Sequence, residues 1–161
     1  MKIQISTIDE LSSVLGRAYF VETQLELSIQ WEAYMVVKNK YRDVLFTISH
    51  DSEIHKSMLK KMFAKIEGMD LEEAIKDYVG KEFNPKGLHD EEILTEVMKK
   101  ELLALDVYKR LHDYSSHDFI KKIWKGRNPK TYFNNLKWLM KEEEKHIEIL
   151  KPYSGQIERI L

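Results

Sequence analysis

Apolar residues recur at alternating spacings of three and four along four stretches of this chain, and nowhere do they alternate with polar ones over the length of a strand. Such spacing places side chains on one face of a helix. Four stripes follow. The first runs Leu11, Leu15, Ala18, Glu22, Leu25, Ile29, Glu32, Val36, and the second Leu45, Ile48, Ser52, His55, Leu59, Met62, Ile66. The third runs Leu94, Met98, Glu101, Leu105, Tyr108, His112, and the fourth Tyr132, Leu136, Leu139, Glu143, His146, Leu150.

The punctuation sets the predicted ends. Thr7 with Glu10 three residues on has the pattern of a capping box and opens a helix extending to about Lys40. The second helix starts near Asp43 and stops at Gly68. Asp70 with Glu73 opens a short helix ending near Gly80, and Asn84-Pro85-Lys86-Gly87 forms a turn. The third long helix begins at Asp90 and fades at Ser115-Ser116, followed by a short helix or turn from His117 to Lys125. Asn128-Pro129 caps the fourth, with proline at the first helical position, where its missing N–H is no loss; that helix ends at Lys151-Pro152. The expectation is an all-α fold, an antiparallel four-helix bundle with short helices in the connector between helices 2 and 3 and before helix 4. The connector, from Gly68 to His89, is long enough to cross the bundle end or run along it.

Composition narrows the function classes. With 161 residues the chain has the length of one domain, taken as residues 1–161, and 43% hydrophobic content is enough for a core. A net charge of −1 gives no basic excess for neutralising phosphates, so no nucleic-acid partner is expected. The absence of cysteine excludes disulfides, thiol redox chemistry and a rubredoxin-type iron centre. No run of ~18 apolar residues is present, and Met1 to Ser6 has no apolar stretch of a leader, so no membrane association and a cytoplasmic location are expected.

What interrupts the stripes carries the chemistry. Each is apolar towards its ends, and Glu22, His55, Glu101, Glu143 and His146 break the inward faces. A buried carboxylate is costly unless paired, protonated or metal-bound. Carboxylate oxygens and imidazole nitrogens suit iron, manganese or zinc, and Glu143 and His146, three residues apart, present both side chains on one helical face.

These residues resemble the ferritin-like diiron-carboxylate family, and within it the rubrerythrin-type proteins without a rubredoxin domain. Glu143-Glu144-Lys145-His146 matches the fourth-helix ExxH of that family, Glu101 with Tyr108 resembles the Glu and Tyr of its third helix, and Glu22 precedes His55 by the expected interval. The chain departs from the pattern in three places. Ser52 stands where the second-helix ExxH has its glutamate, a position that commonly bridges the metals; its neighbours Asp51 and Glu53 point about 100° to either side. Glu101 and Glu143 lie further apart than Glu22 and Ser52, and Ile29 occupies the position equivalent to Tyr108.

The resemblance implies a metal set of Glu22, His55, Glu101, Glu143 and His146, holding one or two iron ions, or manganese or zinc. Tyr108 is then a hydrogen-bond or redox-active neighbour of the ligands, or else a core residue. The implied function is a non-haem iron oxidoreductase that reduces peroxide or dioxygen, served by a separate electron donor. A ferritin-like scaffold with a degenerate mononuclear or empty site, acting as a structural or interaction protein, is the alternative. A plain helical interaction module with solvated carboxylates is the third. Phe20, Leu27, Trp31 and Tyr34 add a second apolar surface on the first helix, expected to meet the connector or the other half of a homodimer.

Overall fold

The computed structural model describes residues 4–27, 32–80 and 83–155. These residues are all-helical, with α1 (Ile8–Leu27), α2 (Tyr34–Val36), α3 (Asn39–Ala64), α4 (Leu71–Ile75), α5 (Asp90–Tyr114), α6 (His117–Ile123) and α7 (Lys130–Leu150). Outside the helices only two isolated β-bridges occur among the described residues, Ile5 with Ser115 and Ile66 with Trp124.

Local chemistry explains the helix starts. At α1 the Thr7 hydroxyl accepts the Glu10 N–H at 3.2 Å, while the Glu10 carboxylate accepts the N–H groups of Ser6 and Thr7. Asp70 caps α4 by accepting the Glu73 N–H at 2.8 Å. Asn128 serves α7, its side-chain oxygen accepting the Lys130 N–H at 3.0 Å. The start of α5 differs from the expectation. His89 rather than Asp90 is the capping position, its N–H donating to Glu92 at 2.7 Å. Asp90 instead accepts the Lys38 N–H at 3.4 Å, across from the start of α3.

Contacts at the two ends give the helix directions. The Ile5 N–H donates to the Tyr114 carbonyl at 2.6 Å, and the Lys125 N–H to the Lys65 carbonyl at 2.8 Å. One end therefore gathers the start of α1, the ends of α3 and α5, and the approach to α7. At the opposite end Tyr41 meets Tyr153 edge-on with ring centroids 5.4 Å apart, and Lys38 meets Asp90. So α1 and α7 run one way, and α3 and α5 the other. α1 packs on α3 and α5, and α7 packs on α5 and α3.

With α3 ending where α5 does not begin, the connector has to travel the length of the helices. Gly68, at φ +79°, turns the chain away from α3. The connector then follows α1: Ala74 lies against Gly16, Tyr78 stacks on Phe20 at 5.0 Å and donates from its hydroxyl to the Ser13 carbonyl, and Gly80 lies against Gln24. A Cβ at Gly16 would sit 3.1 Å from the Ala74 carbonyl oxygen, so glycine is what permits this approach. The apolar surface around Phe20 is thus met by the connector, whereas Leu27 stays exposed.

The first helix corrects the sequence reading. It does not continue to Lys40. The backbone widens into a π-type turn at residues 32–33, gives the short α2, and is extended at Lys38 before α3 starts at Asn39, ahead of the expected Asp43. Ala33 and Val37 are buried where the stripe predicted Glu32 and Val36, and Val36 is 41% exposed. A π-type turn accommodates one extra residue and rotates everything beyond it, which accounts for this one-residue slip. Ile29 and Trp31 lie outside the described residues. Every named position of the second and fourth stripes is buried. His112, last of the third, is only half-buried, pairing with Asp113 and meeting Phe133 edge-on. No helix among the described residues is long and apolar enough to cross a membrane.

Candidate metal centre

The inward stripes of α1, α3, α5 and α7 bring Glu22, His55, Glu101, Glu143 and His146 together, all buried, along with Ser52 and Tyr108. Glu26, the rival for the inward position on α1, instead pairs with Lys56 at 2.7 Å.

The cluster has two lobes that share one residue. Glu22, His55 and Glu143 present ligand atoms within 4.8 Å of one another, and so do Glu101, Glu143 and His146. His55 Nδ1 lies 3.2 Å from Glu22 Oε1 and 2.9 Å from Glu143 Oε1. His146 Nδ1 lies 3.1 Å from Glu101 Oε2 and 3.8 Å from Glu143 Oε2. The two imidazoles face each other with ring centroids 5.7 Å apart. Glu143 Oε1, 2.9 Å from His55 Nδ1, and Oε2, 3.8 Å from His146 Nδ1, are both buried without a well-aligned hydrogen bond. Glu22 Oε2, Glu101 Oε1 and Ser52 Oγ are likewise buried and unpartnered.

Neighbouring groups hold the ligands in place. The Tyr108 hydroxyl donates to Glu22 Oε1 at 2.5 Å. Asp51 Oδ2 lies 2.9 Å from His146 Nε2, placed to accept the Nε2 proton if Nδ1, which faces Glu101 at 3.1 Å, serves as a metal ligand. On α3, Asp51 stands four residues before His55, about 40° around the helix from it. The sequence placed Asp51 beside Ser52 but not against His146, because stripe position on one helix does not show what flanks a residue on the next. Trp138 was also missed; its ring meets His55 edge-on at 5.6 Å and is partly exposed.

Electrostatics without a metal follow from burial and proximity. Burial pushes the Glu22 carboxyl up to about 7, helped by repulsion from Glu143. Burial and Glu143 likewise hold Glu101 well above the usual carboxylate range. Glu143 goes the other way. Burial opposes its charge, but interactions with Glu101, His146 and His55 outweigh that and hold it ionised. Burial also disfavours the charged imidazoles, yet the adjacent carboxylates win, raising His55 to about 9 and His146 to about 11. The metal-free cluster thus balances its charge with protons, and His55 and His146 would each offer a lone pair to a metal once that proton leaves.

That donor set fits a divalent cation. Three carboxylates and two imidazoles are the ligands that iron, manganese and zinc accept, and a cation would satisfy the buried carboxylate oxygens that make no well-aligned hydrogen bond. Glu143 alone belongs to both lobes, the place of a carboxylate shared by two ions. Ser52 is buried on the same face one turn before His55, with no carboxylate of its own to offer. Glu53 points outwards and is exposed. The remaining histidines stand apart from both lobes: His50 stacks on Phe46 at the surface, His89 caps α5, and His117 stacks on Phe133. Compared with known proteins, the chain matches no family model, no curated protein and no solved structure.

Proposed function

We propose that this protein is a ferritin-like metalloprotein whose four long helices form an antiparallel bundle around a dinuclear, rubrerythrin-like carboxylate centre. The observation that carries this reading is Glu143, common to two three-residue clusters and buried with neither oxygen in a well-aligned hydrogen bond. Glu22 and His55 would hold one ion and Glu101 and His146 the other, with Glu143 between them. Iron bound in such a set supplies electrons for the reduction of peroxide or dioxygen. The chain's own residues do the rest. Burial of all five ligands excludes water, the Tyr108 hydroxyl orients Glu22, and Asp51 fixes the proton of His146 at Nε2. Electrons would come from a separate donor.

The test is metal content per chain by mass spectrometry after anaerobic incubation with ferrous iron, followed by peroxide and dioxygen consumption. Two irons per chain and turnover with a chemical reductant are expected. Negligible uptake would overturn the reading. Ser52 favours a second reading, a scaffold with a single structural ion, because it removes one carboxylate from the resembled pattern. One zinc per chain without iron uptake would select that reading.

A further inference from the structure

We propose that a small exogenous carboxylate completes the centre, bound between the metal ions and the Ser52 hydroxyl; this rests on the dinuclear reading above. Three observations point to it. Ser52 is 1% exposed, and its Oγ has no hydrogen-bond partner although it lies on the face of α3 that carries His55. A buried hydroxyl without an acceptor is disfavoured, and an anion in front of it would supply one.

The second observation is charge. Glu22, Glu101 and Glu143 supply three negative charges, and the two histidines bind metal in their neutral form. Two divalent ions bring four positive charges, so the direct ligands leave one, which Asp51, partly exposed behind His146, faces only from outside the ligand shell. A monoanion would complete the neutralisation inside that shell, and a carboxylate also offers two oxygens, one for each ion.

The third is that neither carboxylate flanking Ser52 on α3 is available for the role. Asp51 has its Oδ2 2.9 Å from His146 Nε2, and Glu53 is exposed on the outer face of α3. Serine ends at its γ oxygen, whereas glutamate carries its carboxylate two bonds further out. Formate or acetate, donated to by Ser52, reproduces the group that serine lacks.

The experiment uses the full chain loaded with zinc, which is redox-silent, and titrates acetate and then formate by calorimetry, with the metal-free chain as control. One acetate per chain carrying two zinc ions is expected, and none in the control. Ser52→Ala should weaken acetate binding about three- to tenfold through loss of one hydrogen bond. Ser52→Glu should keep two zinc ions and lose acetate binding, because it supplies the carboxylate itself. Wild-type chain with two zinc ions and no acetate binding would overturn the proposal and leave the metal centre standing, whereas uptake of a single zinc would overturn the dinuclear reading and this proposal with it. Acetate binding unchanged in Ser52→Glu would place the anion elsewhere and overturn it too. Should Ser52→Glu fail to fold, unchanged affinity in Ser52→Ala does so instead. No zinc uptake at all would overturn both readings.

Discussion

Glu143 is the residue on which both lobes of the centre depend, and its loss has the clearest expected effect. Glu143→Ala should lower bound metal from two ions to at most one per chain, read by mass spectrometry; undiminished metal would exclude it as a shared ligand. The protons on the cluster make a second prediction. In the metal-free chain His55 titrates near 9 and His146 near 11, so both carry protons at pH 7. Metal binds only the deprotonated imidazoles and must displace those protons. Metal affinity should therefore fall as pH falls, with net proton release at pH 7. Calorimetry in two buffers of different ionisation heat measures that release, and zero release would contradict the assigned ligands. Tyr108 offers a stability test. Tyr108→Phe removes the 2.5 Å hydrogen bond to Glu22 from a fully buried position, and should cost about 1–2 kcal/mol in urea unfolding.

At the scale of elements, the helices were legible where one face keeps one phase. The Thr7–Glu10 cap and the buried stripes of α3 and α7 follow from residue spacing alone. The end of the first helix was not legible. Neither glycine nor proline occurs between Leu25 and Lys40, so no local residue announces the wide turn at 32–33. Where such a turn goes is decided by what the following segment must bury, here Ala33 and Val37. The connector is the other such element. Its path along α1 depends on the absence of a side chain at Gly16. Gly16→Val should force α4 outwards and destabilise the protein by about 1–3 kcal/mol, as overpacking does. Thermal unfolding monitored by circular dichroism checks this, and an unchanged midpoint would show that α4 yields without cost.

For the whole molecule, the centre couples four helices that touch one another in pairs. The candidate ligands come from α1, α3, α5 and α7, so a bound ion would tie together elements far apart in sequence. At free metal a hundredfold above its dissociation constant, linkage adds about 2.7 kcal/mol of stability, or roughly 5–10 °C in midpoint for a chain of this size. Removing the metal with a chelator should reverse the shift. A midpoint indifferent to both metal and chelator would place the stabilising interactions outside the centre.

The sequence by itself determined the helical class, most helix ends, and which residues face inward, because periodicity and capping are local and repeat along a single element. Glu22, His55, Glu101, Glu143 and His146 were readable for that reason, as polar interruptions of apolar stripes. Only the tertiary structure decided that Glu143 belongs to both lobes, that Asp51 faces His146, and that the Ser52 hydroxyl is buried without a partner. Those facts depend on the distances between helices and on their rotation about their own axes. Both are set when whole faces pack against one another, and no window of a single helix contains them.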